Sequence, residues 1–278
     1  MRSGFATLAG RPNVGKSTLL NAVVGAKVAI VSGWPQTTRT EVRGVLDRDD
    51  AQVVFVDTPG IHKPRTLMGE RLNSTAVAAV AGVDVACLVL DATAPLGGGD
   101  RFVAARLPPD AICVVNKVDA ASRRQVLDQL ARAAELDLAA YHPVSARTGE
   151  GVADLVEAIV ARLPEGPRYY PQGTVSVVPE ATWVAELVRE QLLAVVRDEL
   201  PHSIACQVTE WEWPRVRCEI LVERESQKPI VIGRGGSVLK EVGTAVRRQM
   251  PPGAHLELFV RVDSDWQRRP AALERLGY

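Results

Sequence analysis

The sequence predicts an α/β domain, a mostly parallel sheet flanked by helices, followed by a smaller α+β domain. Three observations carry this reading. From Phe5 to Leu163 short apolar β runs alternate with helical patterns, the signature of a parallel sheet wrapped by helices. From Pro164 to Pro179 sixteen residues hold four prolines and two glycines, a composition that reads as a linker. Beyond it the order is helix, strand, strand, helix, glycine turn, helix, strand. The expected boundaries are 1–165, 166–180 and 181–278, and 278 residues suffice for two cores.

The first element is the apolar strand Phe5 to Ala9, and a helix-like stretch runs from Thr18 to Val24. Between them stand Gly10, Arg11, Pro12, Asn13, Val14, Gly15, Lys16 and Ser17, which match GxxxxGK[ST]. The glycines let successive backbone N–H groups turn toward the phosphates of a nucleoside triphosphate, and the helix N-terminus adds its positive end. Lys16 is expected on the β- and γ-oxygens, Ser17 on a magnesium ion, and Thr18 in the first helical turn beside them.

The next strand, Val53 to Val56, ends in Asp57-Thr58-Pro59-Gly60. Asp57 is expected to hold a magnesium-bound water, and the Gly60 N–H lies where a γ-phosphate oxygen would sit. Upstream, Pro35-Gln36-Thr37-Thr38-Arg39 is a polar island and the expected first switch, with Thr38 rather than Thr37 completing the magnesium shell. Its release on loss of the γ-phosphate would be an order-to-disorder change. The catalytic set is thus Lys16, Thr38 and Gly60. Ile61 follows the motif at the position where, in the glutamine-dependent GTPases that these motifs resemble, a glutamine orients the attacking water. Ile61 has no hydrogen-bonding group to orient water, so intrinsic hydrolysis is expected to be slow. The missing function is worth about 10³ to 10⁵ in rate when an arginine supplies it. One candidate substitute is a potassium ion held by Asn13. The alternative is a plain loop-capping hydrogen bond.

The base is specified by Asn116-Lys117-Val118-Asp119, at the end of the strand Ala111 to Val115. Guanine presents two adjacent donors that a carboxylate such as Asp119 accepts with its two oxygens, whereas adenine would leave that carboxylate unpaired. GTP and GDP are therefore the expected ligands and ATP is excluded. Asn116 either faces the base or ties this loop to the phosphate loop, and the Lys117 stem packs on the base face. After the strand Tyr141 to Val144, the backbone of Ser145-Ala146-Arg147 would reach the guanine oxygen.

Formal net charge is zero, so any nucleic-acid site must be a local patch. No apolar run approaches the length of a membrane span, and the first strand begins within about four residues of Met1, which predicts a cytosolic chain. Cys87, Cys113, Cys206 and Cys218 lie in apolar runs without CxxC spacing and read as reduced packing residues.

In the second domain Thr182 is the expected N-cap of an amphipathic helix carrying Trp183, Leu187, Val188, Leu192, Val195 and Val196. Ser203 to Thr209 and Arg215 to Val222 form a hairpin around Trp211 to Pro214, and His255 to Val262 a third strand. Between them Lys228 to Ile232 is a short helix meeting Gly233-Arg234-Gly235-Gly236, after which a second helix starts at once. Such a GxxG turn clamps the backbone of about four unpaired nucleotides. From Ser226 to Met250 five cations (Lys228, Arg234, Lys240, Arg247, Arg248) face one acid, Glu241. The pattern is that of a type II KH domain, with Ile232 in its apolar groove, and single-stranded RNA rather than DNA is the expected ligand. Trp211, Trp213 and Trp266 read as packing residues more readily than as base-stacking ones.

GTPase motifs followed by a C-terminal KH domain resemble the Era family of bacterial ribosome-assembly GTPases. The resemblance spans nearly the whole chain. Beyond the motifs above it includes Arg189-Glu190, Glu199-Leu200-Pro201-His202, Val222 to Lys228 and Leu276-Gly277-Tyr278. It implies binding of the 3′ end of small-subunit ribosomal RNA, help in 16S processing and 30S assembly, rapid nucleotide exchange, and peripheral association with the inner membrane; the chain is expected to be a monomer. Two departures stand out. Gly33-Trp34 replaces a polar pair before Pro35, where an exposed Trp34 would alter the switch. Arg234-Gly235 replaces a lysine-rich pair in the loop, which lowers the expected RNA affinity. The rival reading is a GTPase of another translation-related family whose last domain binds protein.

Overall fold

The structure, a computed structural model, describes residues 1–39, 42–57, 59–61 and 66–278. The chain divides into two compact units, one of 1–65 and 69–177, the other of 178–278 with 66–68.

In chain order the first unit carries β1 (Arg2–Ala9), α1 (Lys16–Val24), β2 (Val42–Asp47), β3 (Ala51–Asp57), α2 (Leu67–Ala81), β4 (Val85–Asp91), α3 (Gly98–Ala104), β5 (Ile112–Asn116), α4 (Arg123–Ala134), β6 (Ala140–Pro143) and α5 (Val152–Val160). The sheet order is β2-β3-β1-β4-β5-β6, with β2 antiparallel to β3 and every other pair parallel. The central strands are buried on both faces, β3 and β5 along their whole length, which is why their sequences are continuous apolar runs rather than alternations. Register brings their C-terminal ends level: Leu8 pairs with Asp57 and Asp91 with Asn116. Polar residues that end buried strands thus converge at one edge, where open α/β sheets bind ligands.

The proline-rich stretch has a structural role on β2 and β3. Buried Gln52 accepts from the Tyr169 and Tyr170 N–H groups at 2.8 and 2.9 Å. Asp47 pairs with Arg168 at 3.0 Å and accepts from Gly173 N–H at 2.8 Å, and the Gly173 bond, with burial opposing, holds its carboxyl below the usual range. Val45 N–H bonds Val175 at 2.9 Å. An edge strand presents unpaired backbone groups and a buried amide needs partners; residues 168–177 satisfy both.

The second unit carries α6 (Glu180–Val195), α7 (Leu200–Ser203), β7 (Ala205–Glu212), β8 (Arg215–Val222), α8 (Lys228–Ile232), α9 (Ser237–Arg247), β9 (His255–Val262) and α10 (Pro270–Arg275). Its sheet runs β7-β8-β9, the hairpin antiparallel and β8 parallel to β9. Val184, Leu187, Val188 and Leu192 of α6 pack with Val216, Cys218, Ile220 and Val222 of β8 and with Val242 and Val246 of α9. Helix α6 begins at Glu180 with Pro179 at the N-cap, so Thr182 lies inside the helix and caps nothing. Proline suits a helix start because its φ is already fixed and it has no N–H to satisfy.

All four cysteines are free thiols. Burial pushes Cys87 and Cys113 up to about 12. Among the described residues no helix is long and apolar enough to cross a membrane.

Candidate functional site

The loop 10–17 joins β1 to α1. Val14 is buried and anchors it, while Asn13 and Gly15 take positive φ, 65° and 95°, so that Gly15 caps α1 in the left-handed region. A Cβ on Gly15 would stand 2.4 Å from Asn116 Nδ2, and one on Gly10 would stand 2.6 Å from the Val89 carbonyl. Lys16 is 7% exposed. Its Nζ donates to the carbonyls of Gly10 and Arg11 at 3.2 and 3.1 Å. Burial lowers its pKa from 10.5 to about 8, against the opposing pull of Asp57. An ammonium so placed lacks an anionic partner of the strength a triphosphate offers.

Beside it three oxygens converge. Ser17 Oγ donates to Asp57 Oδ2 at 2.9 Å and lies 2.9 Å from Thr38 Oγ1, which donates to the same carboxylate oxygen at 3.1 Å. Thr37 instead donates to the Trp34 carbonyl at 2.8 Å and meets Ser32 Oγ at 2.6 Å. Two hydroxyls and one carboxylate are hard oxygen donors that fit Mg²⁺, with the rest of an octahedral shell left to phosphate and water. Among the described residues no group of three His, Cys, Asp or Glu side chains forms a metal site.

Pro59 and Gly60 are buried, and Thr58 lies outside the described residues. Gly60 packs on Pro12, whose N would lie 2.7 Å from an added Cβ. Ile61 N–H donates to Gly10 at 3.1 Å; its side chain is 1% exposed in a core with Leu88, Leu90 and Val115. It is packed away from any reacting water.

A second cavity, about 350 Å³, is lined by Gly15, Thr18, Asn116, Lys117, Asp119 and Arg147 among others. Asn116 ties the loops together: Nδ2 donates to Val14 at 2.9 Å and Oδ1 accepts from Ala146 N–H at 3.0 Å. Lys117, at φ 68°, donates from Nζ to the Asn13 carbonyl and to Asp91 Oδ2, both at 2.6 Å. Val118 N–H bonds the Val144 carbonyl at 3.2 Å. Asp119 accepts from Ser145 Oγ at 2.6 Å and pairs with Arg147 at 2.6 Å, and the serine bond first, then Arg147, hold its carboxyl below the usual range.

Two residues outside the sequence motifs hold this frame. Asp91 anchors Lys117. Asp100, 1% exposed, accepts from Arg11 Nε at 2.6 Å and from Gly97 N–H at 2.9 Å, which fixes the loop to the start of α3. Asp91 ends an apolar strand as Asp57 and Asn116 do, a signal in the sequence. Asp100 in a glycine-rich turn carries none. Asn13 Nδ2 donates to the Gly33 carbonyl at 3.0 Å. Trp34 is half-buried rather than exposed.

In the second unit Lys228 opens α8 and half-buried Ile232 closes it. Gly233, Gly235 and Gly236 take φ 75°, 60° and 79°. A Cβ on Gly233 would strike Ser237 Oγ and Val238 N at 2.7 Å, whereas those on Gly235 and Gly236 would meet nothing within 4 Å. The outer backbone is bare. Arg234, Lys240, Arg247 and Arg248 are exposed, and Lys240 and Arg247, seven apart on α9, share a face. Trp266 is fully buried and donates from Nε1 to Ser203 at 3.0 Å. Trp211 and Trp213 are exposed, 36% and 50%.

A family model described as 50S ribosome-binding GTPase matches residues 5–117, and a KH-domain model matches 199–267. GTPase Era of Mycobacterium tuberculosis (strain H37Rv) is 47% identical over 296 aligned positions, covering 99% of this chain and 98% of its own. That of Mycobacterium avium (strain 104) is 46% identical, covering 100% and 99%. Two crystal structures each superpose with a TM-score of 0.94 at 34% identity over 100% of this chain and 99% of theirs. One is a single-residue variant of Aquifex aeolicus Era bound to GDP·AlF4⁻. The other is Era in complex with MgGDPNP and nucleotides 1506–1542 of 16S ribosomal RNA.

Proposed function

Since the chain belongs to the Era family of GTPases, we propose that it couples GTP binding and hydrolysis to the grip of its KH domain on the 3′ region of 16S ribosomal RNA, in the service of 16S processing and 30S assembly. The observation that supports this most directly is the end-to-end likeness to the Era complex with MgGDPNP and that RNA segment. The bare, positively flanked glycine loop favours RNA over a protein ligand for the second unit.

In this reading Lys16 and the backbone N–H groups of the loop hold the phosphates, and Gly60 N–H meets the γ-phosphate. Ser17, Thr38 and Asp57 would hold Mg²⁺, Asp57 through a water. Held there, Mg²⁺ would supply positive charge against the negative charge of the phosphate oxygens. Asp119 reads guanine, and Asn116, Lys117, Val118, Ser145 and Ala146 keep its carboxylate in place. Because Ile61 is committed to the core, the residue directly after Gly60 does not orient water, and we expect slow intrinsic turnover. Asn13, whose amide already donates to Gly33 just before the switch segment, is the residue we assign to a potassium ion. Turnover in potassium should exceed that in sodium, and equal rates would remove that assignment. The chain acts as a monomer in the cytoplasm, with at most transient peripheral contact with the membrane.

The test is titration of a 16S 3′-end oligonucleotide and a scrambled control into the GDP form and the non-hydrolysable GTP form. Tighter binding of the true sequence, with an affinity that differs between nucleotide states, is expected. By linkage the RNA must then shift GTP affinity by the same factor. Equal binding of true and scrambled RNA in both states would reject the reading.

A further inference from the structure

We propose that the cavity lined by Trp183, Trp211, Trp213 and Met250 is a second RNA subsite, a stacking pocket for unpaired nucleobases beyond those the glycine loop clamps. This rests on the RNA reading above. The cavity measures about 630 Å³, within the range of small-molecule pockets. It lies wholly within the second unit.

Trp183 packs against the core of the unit, but the other two tryptophans do not behave as core residues. Trp266 shows what a packed tryptophan looks like in this unit: fully buried, its N–H bonded to a backbone carbonyl. Trp211 and Trp213 instead keep 36% and 50% of their surface in water at the hairpin tip. Large indole faces left wet at the mouth of a cavity are a standing cost that a stacked ring removes.

The cavity's position selects the ring. Helix α9 has the glycine loop at its N-terminus, and Gln249, Met250 and Pro251, immediately beyond its C-terminus, line the cavity. Eleven residues of helix separate the two by ~16 Å. Exposed Arg247 ends the helix and exposed Arg248 caps it. A strand leaving the loop along α9 would meet Lys240, then these two arginines for its phosphates, then indoles for its bases. At the rim Glu180 and Gln249 supply an acceptor and a mixed donor-acceptor for base edges. The hairpin acids are neutralised locally, Glu212 by Arg215 at 3.1 Å and Glu210 by Arg217 at 2.6 Å.

The experiment is an anisotropy titration of the full chain with labelled, unstructured RNAs of about four and about ten nucleotides. Changing Trp211→Leu and Trp213→Leu together should weaken the longer RNA by about tenfold, because each stacked base contributes substantially. The shorter RNA should bind as before. The salt slope should stay unchanged, since no phosphate contact is lost. Arg247→Gln with Arg248→Gln should lower that slope for both RNAs, and by more for the long one. Trp211→Phe with Trp213→Phe should retain most of the affinity; if the leucine pair fails to fold, quenching of tryptophan emission by the long RNA but not the short, lost in the phenylalanine pair, decides the matter. Unchanged binding of both lengths would overturn the proposal and give the cavity to a protein partner, and equal loss for both lengths would overturn it as a subsite. Failure of the unaltered chain to bind either RNA would remove the RNA reading and this inference with it.

Discussion

The molecule carries two glycine loops that we assign to phosphate, and they are built in opposite ways. In the loop 10–17 the space a side chain would need is already taken, by the Val89 carbonyl beside Gly10 and by Asn116 beside Gly15. In the loop 233–236 only Gly233 is crowded, and Gly235 and Gly236 face open space. The first needs glycine because the rest of the domain closes on it; the second because its backbone turns left-handed and must stay bare for an approaching strand. One geometry packs the loop against the rest of its domain. The other leaves a strand free to enter and leave along its length.

Substituting the second glycine of each loop breaks the comparison most sharply. Gly15→Ala places a methyl group against Asn116 Nδ2, which is held by Val14 and itself holds Ala146, so phosphate loop and base loop are displaced together. Nucleotide affinity should fall on the order of 100-fold, more than a left-handed alanine alone would cost. Calorimetry with GDP measures it. A loss of only a few-fold would mean that Asn116 yields freely and that the loop is less enclosed than argued.

The counterpart, Gly235→Ala, meets no neighbour and bears only the left-handed cost of about 1 kcal/mol. Thermal or denaturant unfolding should show about that loss, with short-RNA affinity reduced a few-fold and GTP hydrolysis unchanged. Collapse of RNA binding would instead show that the methyl group stands directly against a phosphate.

Much of this contrast could be read before any coordinates, because phosphate and base recognition are written in contiguous strings. Gly10 to Ser17, Asp57 to Ile61 and Asn116 to Asp119 each follow a buried strand, and strand register alone brings Asp57, Asp91 and Asn116 to one edge. Partners that depend on packing at a distance could not be read. Asp100 reaches Arg11 only because α3 starts where it does, and Gln52 binds residues 169 and 170 across more than a hundred positions. Composition also misled in small ways. Prolines at 164–179 suggest a linker, and they do not reveal that residues 168–177 also bond to β2 and β3. Thr182 has the chemistry of a cap, yet Pro179 has the geometry.

The enclosed loop also leaves a signature in pH. In the free chain burial lowers Lys16 to about 8, while a bound phosphate would restore it to the charged form, so nucleotide binding takes up a proton above neutrality. From pH 8 to 9 affinity should fall about fivefold, as the protonated fraction of the free chain drops. The sign for stability is opposite. The unfolded lysine keeps its proton up to 10.5, so between about 8 and 10.5 the unfolded state binds more protons and the free protein gains stability as pH rises. Calorimetry in buffers of different ionisation enthalpy detects the proton directly. No uptake at pH 8 would show that the loop carbonyls of Gly10 and Arg11 keep Lys16 charged.

The smallest effect concerns the mouth of the guanine cavity, where the first site resembles the open one. Arg147 is 76% exposed yet lies 2.6 Å from Asp119, on an oxygen that guanine would claim. If Asp119 reads guanine as proposed, this guanidinium contact occupies one of the base's two places and would have to leave before the base binds. A mostly exposed pair contributes little, so Arg147→Ala should raise GDP affinity by only about two- to threefold, the cost of that displacement. Because the pair is screened, the gap between variant and unaltered chain should close as salt is raised. Arg147→Lys should fall between, since an ammonium lacks the planar fork that matches a carboxylate. Stopped-flow association of a fluorescent GDP analogue separates two roles. Faster entry in the alanine variant marks Arg147 as a competitor for Asp119, and faster release with weaker binding would mark it instead as a residue that swings over the bound base and holds it.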